Sequence, residues 1–269
     1  MDIEFAKGHG TRNDFVLLAD PDNLYDLTAE QVRYLCDRRA GIGGDGVLRA
    51  VRTNQVSQWA GSGADWFMDY RNADGSIAEM CGNGLRVFLR FLAEEDLIDP
   101  FGVTVVATRA GLRSGRLMDD GRIAVGMGAV TIGDQVTISH GGRTWPATAA
   151  DVGNPHAVVE VASAEELDEL DLSVAPGWAP AEAFPNGVNT EFVLREGPGR
   201  LRLRVFERGV GETESCGTGV VASAAVLGGA ESCAVQVPGG RLEVRLGDPE
   251  AVLVGPAVIV ARGRVDLPS

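Results

Sequence analysis

Two short stretches carry residue types that could do chemistry together. Residues 79–88 read EMCGNGLRVF and residues 214–223 read ESCGTGVVAS, each a cysteine followed by Gly-X-Gly and an apolar run. A thiol at the mouth of a helix has its thiolate stabilised by the dipole and by unpaired N–H groups, which commonly brings its pKa to roughly 3.5–7.5. The glycines let a ligand approach the backbone, and the open N–H groups suit a carboxylate. Two thiols on opposite faces of one carbon are what inversion of a stereocentre requires. One removes the α-proton and the other returns a proton from the far side, and each can serve as acid or base. The alternative for either cysteine alone is a small buried hydrophobe, the reading given to Cys36, within a helical pattern, and Cys233, at the start of a strand.

Other chemistries fit less well. A cysteine hydrolase needs a histidine base. Of His9, His140 and His156, only His156, in GNPHAV, has a suggestive context, and the second matched cysteine would be unexplained. An anion-binding module would need the helix starts but neither thiol. The net charge of −14, without basic clusters, argues against nucleic acid and anionic membranes as partners. No stretch reads as a signal peptide or a membrane span, and no CxxC pair suggests zinc. These features lead us to expect a cytoplasmic protein with reduced thiols and a small-molecule substrate, without metal.

The elements that position the cysteines come in two sets. Cys216 lies 216 − 81 = 135 residues after Cys81, and a second marker shares that offset. Thr28 opens TAEQVRYLCDRR with Gln31 three residues on, and Ser163 opens SAEELDEL with Glu166 three residues on, both patterns of a capping box. KGHGTRNDFVLL and DVGNPHAVVEV each run from a Gly-rich turn through Asn into a β-prone segment. VTVVATRAG follows the first cysteine helix, and CAVQVP and RLEVRL follow the second. The spacing predicts two similar α+β lobes around an approximate two-fold axis, with the cysteines approaching one cleft. The boundary is expected near MDDG, residues 118–121, and the Pro/Gly/Ala-rich loop at residues 174–187 is long enough to be functional.

With these residues in view, the chain resembles the diaminopimelate epimerase family, which is independent of pyridoxal phosphate. EMCGNGLR and ERGVGETESCGTG are similar to its paired signatures. KGHGTRNDFV, DRRAGIGGDGVL, YRNADGS, GNPHAV and NGVNTEFV match in order across nearly the whole chain. The resemblance implies two pseudo-symmetric lobes, each a β-sheet or barrel wrapped around a central helix, with the active site in the cleft between them. The lobes would be 1–117, with a returning tail at 258–269, and 118–257. It further implies interconversion of LL- and meso-diaminopimelate without a cofactor, with Cys81 and Cys216 transferring protons. Gly82, Asn83, Gly217 and Thr218 would bind the reacting carboxylate. Asn13, Asn72, Asn154, Asn189, Glu207 and Arg208 would hold the distal end of the substrate, with His156 and Glu207 supporting catalysis. A homodimer is compatible with the resemblance.

Departures from the family pattern fall at Arg39 and Ala40, at Leu85 and Val87, which should face the packing side of the helix, and at Glu214 and Ser215. A carboxylate at Glu214 would raise the Cys216 pKa if close. Two rivals stand beside this reading. A proline or hydroxyproline racemase would have no use for the Glu207–Arg208 and asparagine set, and a binding protein with dead chemistry would show no deuterium exchange.

Overall fold

The computed structural model describes residues 2–268. The chain divides into two compact units, Met1–Val125 with Gly255–Ser269, and Gly126–Val254.

The first unit contains β1 (Asp2–Gly10), β2 (Asn13–Ala19), α1 (Ala29–Cys36), β3 (Gly46–Arg52), β4 (Trp66–Asn72), α2 (Gly82–Glu94), β5 (Thr104–Thr108), β6 (Gly111–Leu117) and the start of β7 (Ile123–Gly128). Its ladder runs β1–β2 antiparallel, β2–β3 parallel, β3–β4 antiparallel, β4–β5 parallel, then β5–β6 and β6–β7 antiparallel. α1 begins at a complete capping box: Gln31 N–H donates to Thr28 Oγ1 at 3.2 Å and Thr28 N–H to Gln31 Oε1 at 3.1 Å. It ends at Cys36, and Val32, Leu35 and Cys36 face the core. α2 is buried on nearly every side, with Leu85, Val87, Phe88, Leu89 and Leu92 at 0% exposure, while Arg86, Arg90 and Glu94 share one side of the helix. It packs against β1, β2, β3 and β6.

The second unit contains β8 (Thr131–His140), β9 (Arg143–Asp151), β10 (Pro155–Val161), α3 (Ala164–Asp168), β11 (Gly177–Ala179), β12 (Asn189–Gly197), β13 (Arg200–Glu207), β14 (Gly211–Thr213), α4 (Gly217–Leu227), β15 (Ser232–Val237), β16 (Gly240–Arg245) and β17 (Ala251–Gly255). The ladder runs β8–β9 and β9–β10 antiparallel, β10–β12 parallel, β12–β13 antiparallel, β13–β15 parallel, then β15–β16 and β16–β17 antiparallel. α4, rich in Val and Ala, lies against β9, β10, β12, β13, β15 and β16. The last strand, β18 (Val258–Asp266), belongs to the first unit and pairs antiparallel with β1.

Both units are therefore mixed α+β, each a sheet packed around one cysteine-capped helix. Two details differ from expectation. α3 is a single short turn whose Glu166 accepts from Ala162 N–H and Trp145 Nε1–H, not from Ser163 N–H, so the second cap is only half a capping box. The 174–187 segment is not an open loop: β11 pairs with β8, and buried Phe184 meets Trp178 edge to face.

Candidate active site

Each cysteine of interest is the N-cap of its helix, Cys81 of α2 and Cys216 of α4. In the first unit Gly84 N–H points at Cys81 Sγ from 3.4 Å, and Leu85 N–H bonds Cys81 O at 2.8 Å. Gly82 and Asn83 form the first turn and are buried. Asn13, the first residue of β2, places its Oδ1 3.5 Å from Cys81 Sγ and 3.4 Å from Asn83 Nδ2. Asn72, the last residue of β4, is turned to its own loop: its Nδ2–H donates to Ser76 Oγ at 3.0 Å and its N–H to Ser76 O at 2.9 Å.

Beside Asn13 stands a charged cluster that sequence reasoning missed. Asn13 Nδ2–H donates to Asp45 Oδ2 at 2.7 Å, Arg38 clamps Asp14 with two bonds of 2.9 and 2.7 Å, and Lys7 lies 2.6 Å from Asp14. Burial alone would raise the Asp14 carboxyl, but Arg38 and Lys7 outweigh it and hold the group below the usual carboxylate range.

In the second unit His156 is wholly buried, with Nδ1 2.7 Å from Glu191 Oε1 and Nε2 2.9 Å from Asn154 Oδ1. Asn189 accepts from Arg208 N–H at 2.9 Å, and Arg208 Nη1–H donates to Asn186 O at 3.2 Å, so the end of the 174–187 segment seats this arginine. Glu207 is bonded by the Thr213 hydroxyl and by Cys216. Burial pushes the Glu207 carboxyl up despite those bonds. Cys216 Sγ lies 3.5 Å from Thr218 Oγ1.

The expectation of a lowered thiol pKa fails at Cys216. Burial pushes this thiol well above its usual range, and the charges of Glu207 and Glu191 add to the rise. Bonds with Thr218 and Gly219 N–H oppose it without prevailing. Desolvation of the sulfur costs more here than the helix start returns. Cys36, pushed up to about 12, and Cys233 are also raised by burial, as packing residues should be.

The floors beneath the two helix starts differ. Phe15 pairs with Gly46 across β2–β3, and His156 pairs with Asn189 across β10–β12. Two residues further along β3 and β12 stand Leu48 and Glu191, so an apolar pair in one unit answers to a His–Glu pair in the other. Glu191 is the residue that the sequence reading overlooked. Its signal was a lone charge in the apolar run of NTEFVL.

The comparisons with known proteins agree with one another. The profile of the diaminopimelate epimerase family matches residues 5–133 and 148–260. The chain is 50% identical over 274 residues to the diaminopimelate epimerase of Thermobifida fusca, covering 98% of each chain. It is 48% identical over 280 residues to that of Streptomyces coelicolor, covering 98% of this chain and 96% of the relative. Among solved structures, a phenazine biosynthesis protein of the PhzF family from Bacillus anthracis aligns with a TM-score of 0.73 at 16% identity, over 99% of this chain and 100% of that one. A hydroxyproline epimerase from Agrobacterium vitis aligns with a TM-score of 0.63 at 16% identity, over 98% and 92%. At such identities these two structures speak to the fold alone.

Proposed function

The chain belongs to the diaminopimelate epimerase family, and we propose on that premise that it interconverts LL- and meso-2,6-diaminopimelate by proton transfer through Cys81 and Cys216. The reaction serves lysine and cell-wall precursor synthesis, and we place it in the cytoplasm, where thiols stay reduced. The observation that carries the reading is the pair of N-cap cysteines, each opening a glycine-started helix at equivalent places in two like-folded units.

The substrate carboxylate is met by the N–H groups of Gly82 and Asn83 and of Gly217 and Thr218, whose partial positive charge also stabilises charge developing on the carbanion. The raised pKa of Cys216 supports its entering the cycle as the proton donor, with Cys81 as the base for that direction. For the reverse direction the roles exchange. Glu207, bonded to Cys216, and the buried pair of His156 with Glu191 support that thiol as its charge changes. The distal amino-acid end falls to Asn13, Asn72, Asn154, Asn189, Glu207 and Arg208. Arg208 offers the carboxylate a bidentate donor, Glu207 pairs with an ammonium, and the asparagine amides serve either group. Proline, with no second amino-acid end, leaves that set unused and is not expected to turn over.

Chiral chromatography of LL-diaminopimelate incubated with the protein tests the reading. Wild type should produce the meso form. Cys81→Ala and Cys216→Ala should each lose roughly 10²–10⁴-fold in rate, the contribution of a positioned acid or base, with the far-UV spectrum unchanged. Near-wild-type turnover by either variant refutes the assignment.

A further inference from the structure

Two charged residues with no role above grip the surroundings of Cys81 from opposite ends. Arg86, on α2, is 0% exposed and pairs with no carboxylate among the described residues. Its guanidinium donates to neutral oxygens: Asn83 Oδ1 at 2.9 Å, Thr11 Oγ1 at 3.3 Å, Gly82 O at 3.4 Å and Pro256 O at 3.5 Å. Burial brings it down to about 10, so it keeps its charge at neutral pH. At the other end Asp45 accepts from Asn13 Nδ2 at 2.7 Å, Asp14 N–H at 3.1 Å and Arg38 at 2.8 Å.

Which way an asparagine amide faces is ordinarily settled by its network. Here the two ends decide. A guanidinium can only donate and a carboxylate can only accept, so Asn83 must turn its oxygen to Arg86 and Asn13 its nitrogen to Asp45. Between them Asn83 Nδ2 donates to Asn13 Oδ1, and both amides point the same way from cation to anion. We infer that Asp45 and Arg86 are positioning residues which, acting through Asn13 and Asn83, keep a hydrogen-bond acceptor against the Cys81 sulfur.

The assignment rests on the epimerase reading for its purpose, and it has a chemical consequence of its own. An oxygen 3.5 Å from Sγ favours the S–H form, whereas an amide N–H in its place would favour the thiolate. Arg86 also ties down the turn that delivers Asn13: Thr11 and Arg12 sit at φ 50° and 65°, a conformation that β-branched Thr11 adopts at a cost. The other thiol lacks this arrangement, since Val221 stands 135 residues after Arg86.

Iodoacetamide alkylation of the full-length protein across pH, with Cys81 and Cys216 peptides resolved by mass spectrometry, tests the inference without turnover. Asp45→Asn frees the Asn13 amide to turn, and the Cys81 midpoint should fall by on the order of one pH unit, the worth of one charge-assisted hydrogen bond gained. Asp45→Glu keeps the acceptor and should restore the wild-type midpoint. Asp14→Asn removes a neighbouring carboxylate without releasing Asn13, and should shift it less. An unmoved midpoint in Asp45→Asn, or equal shifts in Asp45→Asn and Asp14→Asn, would overturn the inference. Meso-product formation by wild type is measured separately, so either idea can fail alone.

Discussion

Cys81 and Cys216 share a sequence context and an N-cap position but not an environment. Around Cys81 are two asparagines, an apolar floor of Phe15 and Leu48, and a buried cation whose charge interacts with the thiol. Around Cys216 are Glu207, Glu191 and His156. That asymmetry suits a pair in which one sulfur gives a proton while the other takes one. It also makes a signed expectation. Replacing Glu207 with Gln removes a negative charge that raises the Cys216 pKa, so the pH midpoint of Cys216 alkylation should move down while that of Cys81 stays put. A midpoint that stayed or rose would mean that the Glu207 carboxylate does not hold the thiol in its protonated form.

At the scale of elements, the glycine three residues after each cysteine does different work. A Cβ on Gly219 would come within 2.4 Å of Glu191 Oε1, a buried carboxylate with little room to retreat. A Cβ on Gly84 would meet Cys81 Cβ and Phe15 Cζ at 3.4 Å and Leu48 Cδ1 at 3.6 Å, ordinary contacts. Urea unfolding should therefore show Gly219→Ala less stable by about 1–3 kcal/mol, the usual cost of overpacking, while Gly84→Ala stays within about 1 kcal/mol of wild type, since a helix favours Ala over Gly by that much. Equal losses would place the strain in the helix backbone and not at Glu191. The caps and the helices they open were legible because both signals are local: Thr28 with Gln31, and a cysteine before Gly-X-Gly. The floor was not. Glu191 is a lone charge in an apolar strand, and its partner His156 is brought beside it only by the parallel pairing of β10 with β12. Asp45 reaches Asn13 only through the fold, and Arg86, one turn after Asn83, carries no local sign that it is buried.

Across the whole molecule the two units repeat one ladder order, and the repeat was visible at the caps and hidden elsewhere. Asn154 follows Asn13 by 154 − 13 = 141 residues and Asn189 follows Gly46 by 189 − 46 = 143, whereas the helix caps keep 135. The longer connection before β12 is offset by a tight hairpin at 198–199, where the first unit uses residues 53–65. Local motifs survive such exchanges of loop length, and a fixed offset does not. β8 precedes β9 in the chain, but its counterpart β18 returns from the far end to pair with β1, a closure that no local signal encodes. The proposal that each unit supplies one thiol, each serving a different face of the carbon, is read directly by deuterium labelling. With LL-diaminopimelate in deuterated water, the first meso product should carry deuterium at the inverted carbon while recovered substrate remains protiated. Deuterium entering substrate and product equally from the outset would mean that one group serves both faces, and would contradict the two-thiol account.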